Sequence, residues 1–282
     1  MKQKFYNIIL LFVIIIFFLG CNNQAEEPKV IEKEYREKIE LITSHGSMII
    51  EFYNETPLHR DNFINLAQNN AYDSLLFHRV IKNFMIQAGD PDSKNASPKD
   101  TLGEGDAPYT VKAEFNPNLF HKKGVIAAAR DDNPEKASSA MQFYIAQGKV
   151  YNDSLLDNAE VYINKNKAID YFKQKNNNMP ILDSLKQAMA QRNRQLYNTY
   201  GDRILQIAKT DENFKLYSIP EKQREVYKTL GGIPHLDQNY TVFGEVIQGL
   251  EIIDSIANVA TDDMDRPLSD VRILDVKILD KK

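Results

Sequence analysis

The densest chemistry in the chain lies in one run, Phe77-His78-Arg79-Val80-Ile81-Lys82-Asn83-Phe84-Met85-Ile86-Gln87-Ala88-Gly89-Asp90. Arg79 is bracketed by apolar residues. In an extended strand Phe77 and Arg79 face one way and His78 the other. Such an arginine either snorkels from a sheet edge to water or offers its planar fork of donors to a ligand; the run by itself leaves both readings open. Phe84 and Met85, taken alone, read as core. The five histidines, His45, His59, His78, His121 and His235, show no metal-ligand spacing and read as structural or exposed. Asp262-Asp263-Met264-Asp265 lacks calcium-loop spacing and reads as a solvated loop, and Asp131-Asp132-Asn133-Pro134 as a turn.

Composition narrows the classes. The chain has 282 residues, 43% hydrophobic and 26% charged, with a formal net charge of -4. This is ordinary globular composition, long enough for one or two domains. An isoelectric point near 5.8 argues against a nucleic-acid partner, which calls for a basic excess. A single Cys rules out an intrachain disulfide framework. The sequence holds no phosphate-binding Gly-x-x-x-x-Gly-Lys run and none of the usual zinc signatures.

Several elements can hold that run in place. Ile39–Thr43 and Met48–Tyr53 read as a hairpin around Ser44-His45-Gly46. Thr56-Pro57 opens a helix, with Thr as cap and Pro at its first position. Phe63, Leu66 and Ala67 give that helix one apolar face. Leu75–Val80 and Val271–Leu279 read as strands. At the N-terminus, Lys2 and Lys4 precede the apolar run Ile8–Leu19, which is too short to span a bilayer and reads as a signal-peptide core. Phe18-Leu19-Gly20-Cys21 resembles a bacterial lipobox, so residues 1–20 are expected to be removed and Cys21 lipidated. Residues 21–37 read as a flexible tether. The expected location is the cell envelope, anchored by lipid on the periplasmic side, with the outer membrane favoured by Asn22.

The spacing of Phe77-His78-Arg79 with Phe84-Met85-x-Gln87-x-Gly89-Asp90 resembles the signature of the cyclophilin-type peptidyl-prolyl cis-trans isomerases. Gly124–Arg130 followed by Ser138–Ile145 resembles the family's second block, and His235–Val246 its third. Thr56-Pro57 with His59 and Asn62-Phe63 also fits. The resemblance covers residues 38–148 and 231–282. It implies a mainly β fold: a closed eight-stranded antiparallel barrel capped by two helices, Thr56–Asn69 and Gln248–Ile256. It also implies the roles. Arg79 would be the catalytic donor to the prolyl nitrogen, and Gln87 would orient a neighbouring carbonyl. Phe84, Met85, Tyr144 and Leu236 would form the socket for the proline ring, backed by Phe77. Ala129 and Arg130 would bind the peptide through their backbone, and Gln142 and Tyr240 would complete the rim. No cofactor and no metal is implied. Tyr144 stands where the family usually has Phe, so its hydroxyl needs a partner. Tyr240 replaces a common His and Arg130 a common Asn. His235, at the substrate-binding position of a common Trp, bears on cyclosporin affinity more than on catalysis. The usual glycine-rich stretch is diluted to Gly103-Glu104-Gly105-Asp106.

Residues 149–230 interrupt the resemblance. They carry fourteen Lys/Arg against ten Asp/Glu and one glycine. Pro180 opens a long helical pattern through Ile181, Leu182, Leu185, Met189, Leu196, Tyr200, Ile204 and Ile207. Ser218-Ile219-Pro220-Glu221 reads as a capping box, and Asn176-Asn177-Asn178 as a hinge. A helical hairpin plus a short helix is expected, either as a decoration packed on the barrel or as an arm that holds unfolded clients. For the whole chain the expected function is isomerisation of Xaa-Pro bonds in unfolded or Pro-containing extracytoplasmic polypeptides, assisting folding. A non-catalytic Pro-peptide binding or chaperone module on the same barrel is the alternative, and a purely structural envelope lipoprotein the third reading. Arg79 and Gln87 argue against mere binding, which has no use for a transition-state donor.

Overall fold

The computed structural model describes residues 35–175 and 179–280. The expected signal peptide, the lipidation site Cys21, most of the tether and the Asn176–Asn178 hinge lie outside the described residues.

Strands β1 (Lys38–Thr43) and β2 (Gly46–Phe52) form the expected hairpin, paired from Lys38 opposite Glu51 to Thr43 opposite Gly46. The remaining strands of the main sheet are β3 (Arg79–Ile81), β4 (Met85–Ala88), β6 (Val125–Ala128), β8 (Phe143–Ala146), β9 (Val242–Gln248) and β10 (Ile273–Leu279). The order is β10-β1-β2-β9-β6-β8-β4-β3, antiparallel at every step. Two short strands, β5 (Thr110–Val111) and β7 (Ser138–Ser139), pair separately. The architecture is mainly β, as expected, but the eight-stranded sheet is open and curled rather than closed. β3 and β10 are its edges. Across the seam the ladder is replaced by scattered backbone bonds: Ser74 N to Ile273 O (2.9 Å), Ile273 N to Leu75 O (2.8 Å) and Phe77 N to Val271 O (2.8 Å). The expected strand over Leu75–Val80 is accordingly reduced to a single bridge, Leu76 with Arg272, before β3 begins.

Alternation puts one row of each strand inside. Val80, Ile86, Ile145 and Ile126 stand opposite one another across four strands and are buried. Helix α1 (Pro57–Gln68) closes one opening with Phe63 and Ala67, and α6 (Leu250–Ala257) packs Ile253 and Ile256 into the same core. Thr56 occupies the cap position of α1 but its hydroxyl makes no cap bond. Glu114, from a distant loop, accepts Leu58 N and His59 N at 3.0 Å each. A carboxylate there also suits the positive end of the helix dipole.

The inserted segment holds α2 (Asp153–Lys175), α3 (Pro180–Ala190), α4 (Arg194–Lys209) and α5 (Glu221–Thr229). The long pattern from Pro180 is thus two helices. Arg192 takes φ 52° and the Asn193 side chain caps Leu196 N, ending one helix and starting the next. The predicted capping box does not form. Glu160 accepts Ile219 N and Arg224 Nη1, and the Ser218 hydroxyl also turns to it, so α5 starts on Pro220 without a side-chain cap. Ile169, Phe172, Leu182, Leu185, Ile204 and Leu205 give α2, α3 and α4 a core of their own.

Candidate active site

Strand register assembles the site. Arg79 stands directly opposite Gln87, Gln87 opposite Tyr144, and Tyr144 opposite Ala127. Opposed residues share a face, so this row points outward while the Val80–Ile86–Ile145 row fills the interior. The outer row, with Phe84 and Met85 just before Gln87, forms one wall of a cavity of about 160 Å³. Ala129 and Arg130 after β6, and Leu236 and Tyr240 before β9, form the other.

Met85 and Tyr144 are buried at 2% and 4% exposure, so the floor is apolar. The rim is pinned. Arg130 donates to Asn239 O (3.1 Å) and Asn239 Oδ1 (3.0 Å), and its guanidinium lies 4.9 Å from the Tyr240 ring centre. Gln87 Nε2 donates to Gln142 Oε1 at 2.9 Å, and Gln142 Nε2 donates to Gly103 O and Gly105 O at 2.8 Å each. The Gly103–Asp106 stretch therefore fixes Gln142, which fixes Gln87. Gly89 makes this tight packing feasible: its φ is +101° and a Cβ there would lie 2.1 Å from Met141 O. Arg79 is held more loosely. Its side chain is 44% exposed and its Nε lies 3.4 Å from Asp265 Oδ2.

Three expected placements change. Phe77 does not back the socket. Its amide joins the seam through Val271, the ladder starts only at Arg79, and its ring enters the interior core at 1% exposure. Gln142 sits behind Gln87 rather than on the cavity rim. His235 stands one layer out, stacked on Phe84 at 5.8 Å and meeting Tyr162 of α2 edge-on at 5.9 Å. The backbone of Ala129 is also occupied: its N–H donates to Gln142 O (2.9 Å) and its carbonyl accepts Ser139 N (2.8 Å). Of the two backbones expected to meet a peptide, that leaves Arg130 as the candidate.

The sequence pattern passed over a buried chain of polar groups behind the socket. The Tyr144 hydroxyl meets His121 Nε2 at 2.9 Å, and His121 Nδ1 donates to Asp237 Oδ1 at 2.9 Å. Asp237 also accepts His121 N (2.9 Å) and, at 2.7 Å, the hydroxyl of Tyr227 from α5. All four residues are at most 4% exposed. This answers the partner that Tyr144 required, and the tyrosine was the signal that could have led to it. The 262–265 loop is solvated as expected, but its last residue reaches the site: the Asp265 carbonyl accepts Val80 N (2.8 Å) and its carboxylate faces Arg79. Burial pushes two imidazoles, His78 and His235, down to about 4 and keeps them neutral. Among the described residues no three His, Cys, Asp or Glu side chains gather as a metal site.

Comparison with known proteins agrees with this fold. The family model "Cyclophilin type peptidyl-prolyl cis-trans isomerase/CLD" matches residues 38–211 and 219–278. A Streptococcus pyogenes serotype M6 protein assigned as a bifunctional phosphatase/peptidyl-prolyl cis-trans isomerase is 25% identical over 253 residues, covering 89% of this chain. The match spans only 40% of that protein's length. A Staphylococcus aureus protein assigned as a peptidyl-prolyl cis-trans isomerase is 26% identical over 242 residues, covering 86% of this chain and 91% of its own. A crystal structure of a Cryptosporidium parvum cyclophilin-type isomerase superposes with a TM-score of 0.52 at 18% identity, over 88% of this chain and 100% of that one, a likeness of fold.

Proposed function

The chain belongs to the cyclophilin-type peptidyl-prolyl cis-trans isomerases, and from that premise we propose that it accelerates exchange at Xaa-Pro bonds of polypeptides outside the cytoplasm, with Arg79 as the catalytic donor. The observation that carries this reading is the row Arg79–Gln87–Tyr144 on one face of the sheet, beside an apolar cavity of about 160 Å³.

Amide resonance gives the bond its barrier of about 18–20 kcal/mol. At the transition state the amide is twisted and the prolyl nitrogen regains its lone pair. A guanidinium N–H directed at that nitrogen gains an acceptor only then, so the interaction favours the transition state over both ground states. Met85, Phe84, Tyr144 and Leu236 supply an apolar seat for the ring. Gln87 keeps one amide N–H on Gln142 and has the other for a substrate carbonyl. Holding that carbonyl while Arg79 meets the nitrogen restrains both ends of the rotating bond. Lipid attachment at Cys21 would keep the site at the envelope, supported by the basic, apolar and lipobox pattern of residues 1–21.

Arg79→Lys tests the donor geometry. The charge stays but the fork is lost, so turnover should fall by about 10²-fold with peptide affinity unchanged. A lysine variant as active as the parent would leave only a general positive field to credit.

A further inference from the structure

The cavity at Arg79 is small. Its volume of about 160 Å³ falls below the ~300–1,000 Å³ of sites that enclose a whole ligand. Beside it lies a wider groove of about 560 Å³, bounded by α2, the segment Asn213–Tyr217 and two loops of the β domain, Pro134–Lys136 and His235–Asn239. The two depressions share a wall. His235 lines the groove and stacks on Phe84 of the cavity at 5.8 Å. Asn239 lines the groove and holds Arg130 of the cavity through two hydrogen bonds.

The groove has the chemistry for polypeptide. Phe214 and Tyr171 meet edge-to-face at 5.5 Å and present an aromatic floor. Its charges are unevenly matched. Lys136 pairs with Asp170 at 2.8 Å, and Asp237 is taken up by His121 and Tyr227. Lys167 rests with its ammonium 5.9 Å from the Phe214 centroid, and Lys215 Nζ donates only to the Glu212 carbonyl at 2.8 Å. Neither lysine is ion-paired among the described residues, whereas Glu135 stands exposed on the rim. The groove is also firmly built. The helical segment has its own core, and it is tied to the β domain by Tyr227–Asp237, by Gln223 Nε2 donating to Pro117 O (2.8 Å) and by Lys136–Asp170.

We propose that this groove is a second substrate site, holding an extended segment of the same polypeptide whose Xaa-Pro bond occupies the cavity. Aromatic or large apolar side chains lie on Phe214 and Tyr171, and carboxylates face Lys167 and Lys215. The proposal rests on the isomerase reading of the cavity. It makes the inserted helices a specificity device, so that the enzyme favours long, unfolded, acidic-aromatic chains over short peptides.

The test uses the full chain and two labelled peptides. One is short, with a single Ala-Pro bond. The other carries the same bond between two arms containing Phe and Asp. Wild type should bind the long peptide more tightly. Lys167→Glu with Lys215→Glu, both exposed positions, should weaken that binding about tenfold, through KM and not kcat, and leave the short peptide untouched. Lys167→Gln with Lys215→Gln should have a smaller effect in the same direction. Equal affinity for the two peptides, or long-peptide binding indifferent to charge reversal, would overturn the proposal. So would concentration-dependent dimerisation of wild type abolished by the reversal, which would assign the groove to a second copy. Failure of wild type to accelerate even the short peptide would instead sink the isomerase reading, whatever the binding data show.

Discussion

Tyr144→Phe separates packing from chemistry in the socket. The ring keeps its place, 6.1 Å from the His121 ring and 5.9 Å from that of Tyr240. What disappears is the hydroxyl 2.9 Å from His121 Nε2. Because both groups are buried, the imidazole nitrogen is left unmatched, at a cost of about 1–3 kcal/mol. For a chain of this size ~2 kcal/mol corresponds to a fall in Tm of roughly 4–8 °C. Tyr227→Phe removes a second bond of the same network, the 2.7 Å bond from α5 to the Asp237 carboxylate, and should cost a similar ~2 kcal/mol. The two losses share His121 and Asp237, so the double variant should depart from the sum by at least ~0.5 kcal/mol. Turnover of a short Xaa-Pro peptide by Tyr144→Phe should stay within about twofold, since the apolar surface offered to the proline ring is unchanged. Urea denaturation and exchange NMR on the same samples read both quantities. A large loss of turnover with little loss of stability would give the hydroxyl a chemical role and refute this account of the network.

Two further outcomes follow from the site. Asp265→Asn loosens Arg79, but the pair is distant and half exposed, worth at most ~1 kcal/mol. A fall in kcat/KM of about threefold is expected, weakening as salt is raised; a loss as deep as the ~10²-fold expected of Arg79→Lys would mean that Asp265 does more than position. Acid should destabilise the fold through His78. Its imidazole is 4% exposed, and burial, only partly offset by Asp90 and the Leu76 backbone, lowers its pKa to about 4 from the usual 6.5. Between those values the unfolded chain binds the proton and the folded chain resists it, so stability falls as pH drops from 6.5 to about 4. The contribution is ~3 kcal/mol, and His78→Gln should flatten that part of the profile relative to the parent; identical profiles would contradict it.

The candidate cavity was legible where it is local. Arg79, Phe84, Met85 and Gln87 lie in one run, and strand pairing needs no more than that run and Tyr144 to bring them together. Features built from distant segments were not legible. The seam that keeps the sheet open joins Ser74–Phe77 to Val271–Ile273, and that pairing pulled Phe77 inside although simple alternation put it beside Arg79. The cap of α1 comes from Glu114, well outside the Thr56-Pro57 signal. The groove depends on how the inserted helices dock, which periodicity alone does not encode. The break between α3 and α4 was readable, since Asn193 is a sound N-cap, but the apolar pattern ran through it.

The central claim is that Arg79 drives isomerisation. Exchange NMR of a short Xaa-Pro peptide, with the full chain and with Arg79→Ala, tests it most directly. The account predicts fast exchange with the parent, a loss of about 10²–10³-fold in the variant and an unchanged fold. Equal rates for the two proteins, or binding visible in the peptide shifts with no acceleration by the parent, would contradict it.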